Sequence, residues 1–262
     1  MRYHPKAATY RFVLQEDVKG SIVGGAVAAM PVGAASIGGQ FTEAVAGPAD
    51  SGVAVTWTVD TLTVQSQQQE IIAGVESALA ARMARIKAMS FDVVYDDRMI
   101  PVHEHVNDPT GVGASDRNAA NALRTVAHSF AFPLPRDPLA KGGTWRAADE
   151  LDLPGFAATQ PVQVQYELTV KDILFNGSDT SVVIGIAATF PDTPLPMTVQ
   201  GIQMQGKLTG VTTGEETFSL TEGALVRGTL DGHVQVEMTI PAFNASVAIA
   251  YDLHVTMKRQ GR

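Results

Sequence analysis

The chain of 262 residues contains no cysteine. That excludes disulfides, zinc–thiolate sites, iron–sulfur clusters and a cysteine nucleophile. Tryptophan is limited to Trp57 and Trp145. Charge is sparse, at 18% of residues, and acidic in balance: 27 Asp and Glu against 19 Lys and Arg, a net charge of −8. A surface of that sign repels phosphate backbones, so no nucleic-acid partner is expected, and anionic lipid headgroups are disfavoured too. The opening "MRYHPKAATYRFVL" lacks the continuous apolar core of a signal peptide. There is no GxSxG elbow, no P-loop lysine pattern and no GxGxxG set between a strand and a helix. No cofactor is therefore expected.

What remains is 45% hydrophobic, with 24 glycines and 14 prolines. That composition suits many strands and turns in one large or two small domains. Alternation of apolar and polar residues marks the strands, because successive side chains point to opposite faces. Tyr10, Phe12 and Leu14 set a strand over 8–18. Val53, Val55, Trp57 and Val59 set another, and the phase slips at Asp60–Thr61 before Leu62 and Val64, which predicts a bulge. Phe91, Val93 and Tyr95 follow, then a turn at Asp96–Asp97, then Ile100, Val102 and Val106. In the second half Val162 to Val170 alternate, Asn176–Gly177 signals a hairpin, and Gly223 and Asp231–Gly232 are read as two further turns. Val247 to Met257 alternate last. One apolar and one polar face are expected of antiparallel strands.

Two segments change period. Ile72, Val75, Leu79, Met83 and Ile86 recur at three- and four-residue steps, which predicts a helix over 67–89, with Ser66 and Gln69 as a capping box. A shorter helix is expected over 116–128, capped by Ser115. The Pro133, Pro135, Pro138 and Gly142–Gly143 run reads as a connector. The expected organisation is a β-rich half over 1–130, a connector over 131–146 and a β-meander half over 147–262.

The stretch "GSIVGGAVAAMPVGAASIGGQF", residues 20–41, has no charge and few large side chains. Its glycines and central Pro31 make a poor helix, and its insertion into a membrane would be weak, so no transmembrane span is expected. It reads as a long loop between two strands, with a lid over an apolar site or a membrane-touching loop as its candidate use.

Chemistry-bearing residues are few. His103 and His105 share one face of a strand, a spacing that suits a metal ion, but the expected face is the polar one and a third ligand must arrive from Asp97, His128 or Asp108. HExxH is not met, since Asn107 stands where the second histidine belongs. Asp60 and Asp96–Asp97 read as turn residues rather than a pair of catalytic acids. Trp57 reads as core, and Trp145 as a pin holding the connector to the domain.

In "FAFPLPRDPLAKGGTWR", residues 130–146, the wording resembles the junction "LP…P…GdtW" of uncharacterised exported bacterial proteins and lipoproteins. That resemblance implies an envelope protein, periplasmic or anchored at the outer membrane after loss of a signal sequence, with a cytoplasmic location as the alternative. The expected fold class is α+β: a mostly antiparallel, strongly curved sheet packed around one long and one short helix, with a repeat of two similar halves as one reading and chance likeness among strands as the other. Such a sheet is similar to bacterial lipid carriers, including the incomplete barrels of lipoprotein chaperones. The expected function is non-enzymatic binding of a lipid or other hydrophobic molecule between helix and sheet. The candidate lid and lining are Ile22, Val27, Met30, Ile37, Phe41, Trp57, Leu79 and Met83. Two alternatives stand beside it: a structural or partner-binding envelope module, and a hydrolase or metal enzyme using His103 and His105.

Overall fold

The computed structural model describes residues 3, 5–24, 30–49, 52–66, 84–108, 124–128, 130–151, 162–199, 202–240 and 245–261. Eleven strands run in chain order: β1 (Ala8–Gly24), β2 (Met30–Ala49), β3 (Gly52–Ser66), β4 (Ser90–Tyr95), β5 (Pro101–Asn107), β6 (Thr144–Leu151), β7 (Val162–Asn176), β8 (Asp179–Val199), β9 (Ile202–Ser219), β10 (Ala224–Ile240) and β11 (Ala245–Arg259). They form one sheet in the order β5-β4-β3-β2-β1-β11-β10-β9-β8-β7-β6. Two meanders are therefore joined at the centre of the sheet, where β1 pairs antiparallel with β11 and Phe12 stands opposite Arg259.

Register decides which side chains share a face. Phe12 opposes Phe41, Phe41 opposes Val59, and Trp57 opposes Phe91. On the other side Met257 opposes Gly228, Gly228 opposes Glu216, Glu216 opposes Ile184, and Ile184 opposes Val170. This inner face carries the core: Phe12, Phe41, Val55, Phe91, Leu168, Ile184, Phe218 and Met257 are all buried in one cluster. The outer face carries exposed cross-strand polar pairs, such as His233 with Asp252 at 2.8 Å and His254 with Asp231 at 2.7 Å. Burial on one side and solvation on the other is what the alternating sequence requires.

Several local expectations hold. Gln40 pairs with Thr61 and Phe41 with Val59, so Asp60 is the extra residue of a bulge, held by a 2.7 Å hydrogen bond from Thr42. Asn176 pairs with Asp179 across a two-residue turn in which Gly177 has φ 62°, a left-handed conformation that glycine adopts without steric cost. Gly223, at φ 67°, turns β9 into β10. Asp96 closes the β4–β5 turn by accepting from the backbone N–H groups of Arg98 and Ile100.

Three expectations are corrected. The fold is not α+β with a long helix: of the described residues, 77% are in strands and 5% in helix. Helix is confined among them to 84–88 and 124–128; residues 67–83 and 116–123, the bulk of both expected helices, lie outside the described residues. The antiparallel sheet itself is as expected. The neutral stretch is not a loop in its described parts, since residues 20–24 end β1 and 30–41 open β2, both interior strands. Its hydrogen bonds go into two ladders, so a lid is ruled out for those residues. Asp231–Gly232 is not a turn either. Both sit within β10, opposite His254 and Leu253. There Asp231 takes an outer-face histidine partner, and a turn is not needed to satisfy it.

Candidate functional site

The chain leaves β5 at one edge of the sheet and enters β6 at the other. The described part of the segment between them, 124–128 and 130–134, lies on the inner face. It is bound to both sides. On the β4–β5 side, the Leu134 N–H donates to Arg98 O at 2.7 Å, and the Arg98 guanidinium donates back to Leu134 O at 3.1 and 3.2 Å. On the β6–β7 side, Trp145 Nε1 donates to Pro133 O at 2.8 Å, and the Phe132 ring meets Tyr166 edge-on at 5.0 Å. Trp145 thus pins the proline segment, as its position suggested. The Phe130 ring packs closely on β10 at Gly228, where a Cβ would come within 2.2 Å of the ring. Only glycine admits that approach.

His128 sits at the meeting of the two edges. It is 6% exposed. Its Nε2 is 2.9 Å from Glu104 of β5, and its Nδ1 is 3.5 Å from Asp149 of β6. Arg124 donates to the other Glu104 oxygen at 2.7 Å. Two carboxylates on the opposite edges of an eleven-stranded sheet thus reach one imidazole. The sheet is rolled into an incomplete barrel whose seam is bridged by this ring. Burial opposes ionisation of Glu104, but its contacts with His128 and Arg124 outweigh that and hold its carboxyl down at about 2. Burial likewise opposes the imidazolium, and Asp149 and Glu104 outweigh it, so the His128 pKa is raised. The arrangement holds a proton between two carboxylates. Both ring nitrogens thus face carboxylate oxygens at ion-pair distance.

Deeper in the barrel is a cavity of about 30 Å³, lined by Tyr3, Glu43, Trp57, Tyr95 and Met99 from one side and by Ala127, Phe130, Phe218 and Met257 from the other. Three buried polar atoms of its lining residues have no hydrogen-bond partner among the described residues: Glu43 Oε2, Trp57 Nε1 and Tyr95 Oη. Burial pushes the Glu43 carboxyl up to about 8, against the pull of Arg259. Arg259 itself pairs with Glu222 and lies 5.2 Å over the Tyr10 ring. Burial also drives the Glu216 carboxyl to about 8 and raises that of Glu16. All three acids are on the inner face.

Beyond this plugged end, the inner face carries a second apolar cluster. Val162, Leu208, Val234 and Val236 are buried, with Phe190, Met238, Tyr251 and Leu253 half-buried against them. Of the eight expected lining residues, Phe41 and Trp57 are buried in the plugged core. Ile22 and Ile37 are half-buried on the inner face, and Met30 pairs in register with Ile22. Val27, Leu79 and Met83 lie outside the described residues. A separate groove of about 340 Å³ between β1, β2 and β3 is lined by polar groups that include Gln15, Gln40, Thr61, Thr63 and Gln65.

His103 and His105 are exposed on the outer face of β5, opposite Val94 and Asp92. Among the described residues no group of three or more His, Asp or Glu is arranged to hold a metal ion. The residue of chemical interest in "HEH" is the glutamate between them, which points inward to His128. No helix among the described residues is long and apolar enough to cross a membrane.

No family model and no curated protein matches the chain. Among solved structures, one of lipid–protein interactions in lipovitellin matches 97% of this chain at a TM-score of 0.49 and 11% identity. The chain spans 25% of that protein's chain. At that score and identity the match carries no functional argument.

Proposed function

We propose that this chain is a non-enzymatic carrier that holds a lipid or similar apolar molecule against the concave face of its sheet. The observation that supports it is the division of that face. One end is filled by residues 124–128 and 130–134. The other carries the separate apolar cluster around Leu208 and Val236, with Phe190, Tyr251 and Leu253 only half-buried. Each methylene taken from water onto such a surface contributes about 0.8 kcal/mol, so an acyl chain gains useful affinity without any polar contact. Net charge of −8 favours an uncharged or zwitterionic molecule over an anionic one. The setting we propose is the cell envelope, where such carriers move lipids between membranes.

Native mass spectrometry and solvent extraction of the purified full chain test the binding. An apolar ligand near one per chain is expected, and Leu253→Lys is expected to release it. A purified chain that carries nothing and takes up no fluorescent fatty acid would end the proposal. Fractionation of cells expressing the natural gene tests the compartment.

A second reading, docking to a protein partner, draws on the β7–β8 hairpin. Phe175 is 78% exposed and Leu174 42% exposed at its tip. A photo-crosslinking amino acid at Phe175 should capture a defined partner in cells if that reading holds, and only solvent products if it does not.

A further inference from the structure

We infer that the cavity bounded by Glu43, Trp57 and Tyr95 is a hydration site, holding internal water that accepts from Trp57 Nε1 and Tyr95 Oη and donates to Glu43 Oε2. The three residues come from β2, β3 and β4 and line one cavity, and Glu43 Oε2, Trp57 Nε1 and Tyr95 Oη have no hydrogen-bond partner among the described residues. A buried indole N–H and a buried phenol O–H are donors that native proteins satisfy almost without exception. A carboxyl oxygen is the matching acceptor. Water has two lone pairs for the two donors and a proton for the acceptor, so its valence meets all three. The cavity volume of about 30 Å³ admits one or two waters and excludes an acyl chain. Besides Tyr3, the wall is largely apolar, with Met99, Ala127, Phe130 and Met257 presenting no competing side-chain partner.

The site also explains how the plugged end tolerates an acid at its centre. Burial holds Glu43 in its neutral form to about pH 8. A neutral carboxyl can both receive from and give to water, so the cluster is satisfied without a counter-ion. Ionisation adds a charge that one water does not compensate. The site is therefore hydrated, neutral and separate from the apolar end of the barrel.

A high-resolution crystal structure of the full chain, with water-selective NMR on the Trp57 indole N–H, tests this. Electron density for water within hydrogen-bond distance of all three atoms is expected, and a long-lived water cross-peak on the Trp57 indole. Glu43→Gln should keep both signals, because the amide oxygen still accepts. Tyr95→Phe should lose or displace the density while the fold persists. A dry cavity, a Trp57 N–H bonded to a protein atom, or density that continues into a hydrocarbon tail would each overturn the inference.

Discussion

Glu43 and Glu216 are acids that the fold prefers to keep protonated, both with pKa values of about 8. In the unfolded chain they titrate near 4.5. Between those values the folded state binds more protons than the unfolded one, so stability falls as pH rises. Urea unfolding of the full chain from pH 5 to pH 9 is expected to show a steady loss of stability up to about pH 8 and a levelling above it. Glu216→Gln should flatten that slope. A profile that rises with pH over the same range would contradict the buried positions of both acids. Gly228 makes a second residue-level statement. A Cβ there collides with the Phe130 ring at 2.2 Å, so Gly228→Ala is expected to cost about 1–3 kcal/mol as an overpacking change. At Gly177 a Cβ meets open space, so Gly177→Ala should cost only its left-handed backbone, about 1–2 kcal/mol. Thermal melts of the two variants separate packing from backbone.

Among the elements, the seam depends on side chains rather than on a ladder. His128→Ala removes the cation that Glu104 and Asp149 share, leaving Arg124 on Glu104 alone, and is expected to cost about 3 kcal/mol. The pH signs of the pair differ. The raised His128 pKa gives stability present below about 6.5 and lost as pH climbs through its folded value. The lowered Glu104 pKa gives stability present above about 4.5 and lost as pH falls toward 2. The variant should therefore show a weaker fall in stability at neutral to alkaline pH than the natural chain. None of this was legible in the sequence, because Glu104, His128 and Asp149 are brought together only by the strand order. What was legible was local. The Asp60 bulge, the hairpins at Asn176–Gly177 and Gly223, the Asp96 turn and the Trp145 pin each follow from a few adjacent residues. Residues 20–24 and 30–41 read as loop and fold as strand for a physical reason. Glycine and alanine give no period, so a strand made of them looks like slack, yet their backbones bond as well as any. Asp231–Gly232 failed in the opposite direction: a turn pair was read where a long strand needed an outer-face acid and a small inner residue.

At the scale of the molecule, the sheet has two weak margins and a strong middle. Strands β1, β2, β10 and β11 are paired on both sides for most of their length, while β5 and β6 are paired on one side only. Hydrogen exchange is expected to be slowest in Phe12–Leu14 and Val255–Met257 and fastest in β5 and β6. His128→Ala should speed exchange in those two margins and leave the middle unchanged. Uniform exchange across the sheet would argue against the seam as described.

The central β1–β11 pairing joins residues from far-separated parts of the chain, with Leu14 opposite Met257 and Val18 opposite Leu253. Until it forms, each meander presents a bare inner strand, long and apolar on one side. Those two strands are complementary to each other, and equally to the same strands of a second molecule. Loop closure over that separation is slow compared with local hairpins, so encounter between copies competes with closure within one. Refolding from denaturant should therefore give strand-exchanged dimers in rising proportion with protein concentration, resolved by size-exclusion chromatography. The same long-range join that makes one continuous wall also makes the chain's solubility during folding a matter of dilution.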